Sequence, residues 1–189
     1  MFPAYAHSVQ FFQILFDLDF QHAQARAAQN CPHCQAPLHR ADYPRKPRGG
    51  PSSLPKSLKR RLSFCCSRDG CRKRLTPASV RFLGRRIYFT VAFVLLATLA
   101  HGLNPRRLKA LRLVIDVDRR TLQRWRNFWS DKFIQTPFWI DLRARFSPPL
   151  DETRLPISWF KRIEASGPFP MLALLRTLAA FPDPPDHSI

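Results

Sequence analysis

The chain has 189 residues, 45% of them hydrophobic and 12% aromatic, which supplies enough apolar surface for a core and excludes a wholly disordered polypeptide. Its 31 Lys and Arg against 13 Asp and Glu leave a formal net charge of +18, too large for a basic surface kept only for solubility; a polyanionic partner is expected. With 18 prolines, the length suits two small modules joined by extended linkers better than one large domain.

In chain order, residues 5–29 place Phe11, Phe12, Leu15, Phe16, Leu18 and Phe20 ahead of an Ala-rich stretch, the pattern of an amphipathic helix that packs on the rest of the chain or on a partner. The first residues show neither a basic n-region nor a small-residue cleavage site, so a cytosolic, nucleoid-associated location is expected. In that compartment cysteines are more often metal ligands or catalytic groups than disulfides.

All five cysteines fall within residues 31–74. Cys31 and Cys34 form a CxxC knuckle, in which two thiolates turn back onto one cation at about 2.3 Å from each sulfur. The second half, Cys65-Cys66 followed by Cys71, supplies a partner pair. Cys66 with Cys71 is preferred for its common knuckle spacing, with Gly70 expected to ease the turn that presents Cys71. Cys65 remains an alternative to Cys66, because neighbouring residues of a strand face opposite ways and one of the two looks at the metal. His33 and His39 are fallback ligands. Two such knuckles suit a zinc ribbon with Zn2+ in a tetrahedron of thiolates, iron being the second choice. Four thiolates leave no open coordination position, so the expected zinc is structural and holds together a segment too polar to fold alone.

A loop over residues 43–54, rich in Pro, Gly, Ser and Arg, separates the knuckles. Between Arg40 and Arg86 there are 15 Lys or Arg against two acids, Asp42 and Asp69, so most of the surplus charge lies in and just after the cysteine region. Such a block around a metal-site pattern is expected to touch phosphate.

The apolar run 87–103 is bracketed by Arg85, Arg86, Arg106 and Arg107. It is at the lower limit for a bilayer span and contains Thr90, Thr98, His101 and Gly102, so a buried core helix is the simpler account. Residues 87–101 form the first of three helices, with Gly102 ending it. Asn104-Pro105 opens a second, over 105–114, with Arg106, Arg107, Lys109 and Arg112 outward. Asp118 is a suitable N-cap for a third helix over 119–133. There Leu122, Trp125, Phe128 and Trp129 recur at spacings of three and four, leaving Arg119, Arg120, Gln123, Arg124, Arg126 and Asn127 for the opposite face. Arg pairs bidentately with guanine, and Gln and Asn with adenine, so this set suits a helix lying in the major groove of double-stranded DNA, with outer arginines on phosphate.

Beyond Thr136 the chain turns to Pro-punctuated aromatic sequence with one more short apolar helix, residues 171–181, and carries no recognisable motif. The expected organisation is an N-terminal helix (1–30), a zinc ribbon with a basic insert (31–76), a helix-turn-helix (85–135) and a Pro/aromatic-rich segment (136–189). The fold class is mainly α with a small β zinc ribbon and a three-helix helix-turn-helix unit.

With both modules in place, the order of ribbon, basic stretch and Val-Asp-Arg-Arg-Thr-Leu-Gln-Arg-Trp-Arg resembles the DNA-binding region of bacterial insertion-sequence transposases. Their helix-turn-helix often reads Gly-Val-Ser-x-x-Thr-Leu-x-x-Trp. Val117, Thr121, Leu122 and Trp125 match, while Asp116 stands for the Gly and Asp118 for the Ser. The resemblance covers residues 31–133 and implies binding to transposon ends. The RNase H-like domain whose three carboxylates perform strand transfer in that group is not expected in the last third, which is too short for it. No Ser-His-Asp order, phosphate loop or HExxH helix appears, so the chain is expected to act without catalysis of its own, as an accessory or regulatory protein or a transposase remnant. The expected partners are double-stranded DNA, with a recombinase or a second copy of the chain, and no membrane. The alternative is an RNA-binding or ribosome-associated zinc-ribbon protein.

Overall fold

A computed structural model describes residues 8–46, 50–51, 53–82, 89, 119–165 and 169–180. Among these the protein is mainly α-helical with a small antiparallel β part. Helix α1 spans Val9–Ala27; Ser8 caps it by accepting from the Phe11 N–H at 3.1 Å. Its buried stripe is Phe12, Leu15, Asp19 and Ala23, one residue per turn. An acid thus occupies a position the periodicity reserves for an apolar side chain.

Five short strands follow: β1 (Leu38–Arg40), β2 (Tyr43–Pro44), β3 (Arg60–Arg61), β4 (Phe64–Cys66) and β5 (Arg74–Leu75). The order β1-β4-β5 makes one antiparallel sheet, and β2 pairs with β3. The loop read from residue 43 onward is therefore clasped at its base, with the Arg45 N–H also donating to Lys59 O at 3.1 Å. The inner face of the sheet, with Leu38, Phe64 and Leu75, packs under Phe16, Phe20, Ala23 and Ala27 of α1.

Asp19 lies where this sheet layer meets the larger core. Its carboxylate accepts from Ser79 Oγ (2.6 Å), Val80 N (2.7 Å) and Arg81 Nε (2.7 Å). Arg81 is fully buried, lies against the rings of Phe16 and Phe82, and spends its other nitrogens on the carbonyls of Leu58 and Arg60. Burial alone would push the guanidinium pKa down, and Asp19 opposes that.

Helix α2 (Arg119–Asn127) runs into a π-helical stretch, Phe128–Lys132, and a 3-10 turn, Phe133–Gln135. The α-helix therefore ends earlier than the expected 133, while the helical course continues. The wider turn brings Phe128 and Phe133, five apart, into ring contact with centroids 6.0 Å apart, and Trp129 approaches Phe133 to 4.5 Å.

Thr136 then caps α3 (Pro137–Arg143), with Pro137 in the first turn. Helices α4 (Ile157–Glu164) and α5 (Pro170–Ala179) complete the described chain. Trp129, Trp139 and Trp159 gather around Phe133, and α5 adds Met171, Leu174, Leu175 and Leu178. The described part of the last third is thus a packed helical layer whose apolar side chains are continuous with Phe12 and Leu15 of α1.

Of the run 87–103 only Phe89 is described; it is buried, bridges to Phe82 and stacks on its ring at 5.2 Å. No helix among the described residues is long and apolar enough to cross a membrane. Gly50 abuts Phe89 so closely that a Cβ there would lie 2.6 Å from the ring.

Removing the Asp19 carboxylate (Asp19→Ala) leaves a buried, unpaired guanidinium and is expected to cost about 3–5 kcal/mol, read as a lower urea midpoint. Asp17→Ala, at an exposed position on the same helix, is expected to stay within about 0.5 kcal/mol. Equal effects of the two would contradict the role given to Asp19. Gly50→Ala forces Phe89 to move and is expected to cost about 1–3 kcal/mol in the same measurement.

Candidate metal centre

The two cysteine turns are built alike. Cys31 follows the end of α1 after Asn30, whose φ is 58°. The first turn closes with Cys31 N–H donating to Ala36 O (2.9 Å) and Gln35 N–H to Cys31 O (2.8 Å). Cys66 ends β4, its N–H donating to Lys73 O at 3.0 Å, and the second turn closes with Cys71 N–H and Arg72 N–H on Arg68 O. In each turn the residue just after the second cysteine is left-handed: Gln35 at φ 58° and Arg72 at φ 44°. Gly70 is not in that region, so the turn is relieved one residue beyond Cys71, at a non-glycine.

These turns bring Cys31, Cys34, Cys66 and Cys71 together, with all four sulfurs within 4.8 Å of one another. Cys34 and Cys66 are 3.3 Å apart and Cys31 and Cys71 are 3.8 Å apart. A tetrahedron with metal–sulfur bonds of about 2.3 Å has edges of about 3.8 Å, so the cluster has the dimensions of a four-thiolate site. The separations are too long for disulfides, whose sulfurs sit about 2.05 Å apart. A soft donor set in this arrangement can hold a metal ion.

The thiols are electrostatically unequal. Backbone N–H donation, from His33 above all, pulls the Cys31 thiol down to about 7. Burial pushes the Cys66 thiol up to about 12. A bound cation would favour the thiolate form that burial opposes at Cys66.

Cys65 is not in the cluster. The register His39↔Cys65↔Arg74 places it on the outer face of the sheet, where its thiol bonds to Arg72 O at 3.4 Å. His39 shares that outer face, and His33 is exposed in the first turn; neither joins the four sulfurs.

The other expected site residues that are described lie on α2. Thr121, Trp125, Phe128 and Trp129 are buried, whereas Arg120, Gln123, Arg124, Arg126 and Asn127 are exposed. Gln123 Nε2 donates to Asn127 Oδ1 (2.9 Å) and Arg124 Nη2 to Thr121 Oγ1 (2.8 Å). Gln123, Arg126 and Asn127 also line a cleft of about 70 Å³ that separates the helix from Thr153 and Leu155. The Arg119 side chain, Arg106, Arg107 and the first two helices of the expected helix-turn-helix lie outside the described residues.

Two arginines of the basic block do not belong to its surface. Arg61 is buried and donates to Pro77 O, and Arg81 is committed to Asp19. The signal that could have found this pairing is Asp19 itself, an acid in phase with Leu15 and Ala23. No known protein family, curated protein or solved structure matches the chain.

Reconstitution with zinc sulfate is expected to load one ion per chain. Cys66→Ser abolishes retention through gel filtration, and Cys65→Ser keeps it; the opposite result would reassign the site. Protons compete for the same sulfurs, so affinity is expected to fall as pH falls. Loading releases the protons still held by the four thiols, Cys66 among them, which calorimetry in buffers of different ionisation enthalpy counts.

Proposed function

We propose that this chain is a DNA-binding protein in which a structural zinc ion clips the two cysteine turns together and α2 enters the major groove of duplex DNA. The observation that carries the reading is the sidedness of α2. At 100° per residue, Arg120, Gln123 and Asn127 lie opposite the buried Thr121, Trp125, Phe128 and Trp129, with Arg124 and Arg126 at the two edges. The central residues are those that read bases, and the edge arginines are placed for the flanking phosphates. With Gln123 Nε2 committed to Asn127 Oδ1, the pair presents an acceptor, Gln123 Oε1, beside a donor, Asn127 Nδ2. That complements the amino group and ring nitrogen of adenine in the major groove.

Zinc is favoured as the ion because four thiolates at tetrahedral spacing suit it and leave no place for substrate. Its task is to make a polar, strongly basic segment fold. The net charge of +18 supports a polyanion as partner. The likeness to transposase DNA-binding regions suggests transposon ends as the target. In that reading the chain recognises and positions DNA, while strand transfer belongs to a recombinase partner.

Selection from a randomised duplex pool, followed by anisotropy titration, tests this. The full chain is expected to enrich a defined site. Asn127→Ala should flatten the base preference at one position, worth about 1–3 kcal/mol of discrimination. Arg124→Ala should weaken all duplexes alike. Enrichment of no sequence, or tighter binding of structured RNA than of any duplex, would overturn the assignment.

A further inference from the structure

The outer face of the three-stranded sheet carries chemistry that neither the sulfur cluster nor α2 uses. Residues directly opposed across antiparallel strands share a face, so His39, Cys65 and Arg74 form one row on the side away from α1. Arg74 is exposed, and its Nη1 donates to Ala41 O (2.8 Å) and Ser63 Oγ (3.0 Å). Its guanidinium also lies 5.3 Å from the centroid of the Tyr43 ring, and that of Arg45 lies 5.5 Å from the same ring. Lys73 and Arg72, next in the chain, are exposed. The two acids of this region do little to neutralise the face. Asp42 is turned in, accepting from Arg40 and from the Ser63 N–H with 9% of its side chain exposed, and Asp69 sits out on the second cysteine turn, 3.9 Å from Arg72.

We propose that this face, with Arg45, Lys73 and Arg74 around Tyr43, is a second DNA contact that grips backbone phosphates of the duplex without reading its bases. The proposal rests on the DNA-binding reading above and assigns a place on the molecule to the basic block. Its groups are of the phosphate-gripping kind: cations, two of them held against an aromatic ring, with no Asn or Gln among them. A guanidinium packed on a ring and tied to a carbonyl has lost part of its rotamer freedom before DNA arrives, so less is lost on binding. Phosphate contacts set register on the duplex and add affinity on any sequence. The ribbon would then supply grip and α2 discrimination. Because Arg74 is on the strand that follows the second cysteine turn, the metal sets where this grip lies.

The test uses the full, zinc-loaded chain and labelled duplexes of unrelated sequence over a salt series. Each phosphate contact contributes about 0.9 to the slope of log affinity against log salt, so Arg45→Gln/Lys73→Gln/Arg74→Gln is expected to lower it by up to about 2.7, equally on every duplex. Arg74→Lys, which keeps the charge but not the fork geometry, should retain the slope; a merely structural Arg74 would not be rescued. Lys73→Gln alone, at an exposed position, should lower the slope by about 0.9 even where the triple change loosens the ribbon. Variants that keep zinc and the wild-type slope would overturn the second contact and leave the α2 reading standing. Failure of the unmodified chain to bind duplex DNA, or a preference for structured RNA, would remove both.

Discussion

The buried pair of Asp19 and Arg81 is the constraint on which the rest of the described structure depends. Two charges removed from water cost several kcal/mol each unless nearly every lone pair and proton is met. Here the carboxylate takes three donors and the guanidinium is spread over Asp19 and two carbonyls. The partners come from α1, from the turn and strand near Leu58 and Arg60, and from the segment 79–82. Each of these must arrive in one position for the others to be satisfied. An apolar contact tolerates sliding; this network does not. It therefore fixes how α1 lies over the ribbon sheet while its first turns enter the larger aromatic core.

That arrangement gives the sulfur cluster its setting. Cys31 leaves directly from the end of α1, and Cys66 leaves from the strand that α1 covers through Ala23 and Phe64. The helix is thus tied by the ion pair to the segment 79–82, and its C-terminal end leads into the first of the two cysteine turns. A metal held by the four sulfurs would join the end of the helix to the sheet, and its binding free energy would add to that of folding.

Local patterns were legible where they act locally. Helix α1, the CxxC knuckle and the sidedness of α2 all follow from spacing, and the rule that adjacent strand residues face opposite ways separates Cys65 from Cys66. Long-range pairings were not legible. Arg81 reads as one more surface charge in a basic stretch because its partner is far away in the chain. Gly70 reads as the turn residue because glycine is the usual left-handed one, but backbone bonds to Arg68 O stabilise the turn with Arg72 in that role. The C-terminal third showed no motif because Trp139 and Trp159 act through aromatic packing across elements, which leaves little periodicity in seven- to ten-residue helices.

The separation of Asp19 from Arg81, 62 positions along the chain, also has a meaning in time. At about 5–20 residues per second, a ribosome would add Arg81 roughly 3–12 s after Asp19. Throughout that interval the nascent helix presents Phe12, Leu15 and an acid with no cation to meet it. The knuckle of Cys31 and Cys34 emerges soon after the helix and its sulfur partners only later. The N-terminal helix therefore waits for residues 66–81, and a translational pause before Arg81 would prolong the exposure of surfaces that the finished protein buries.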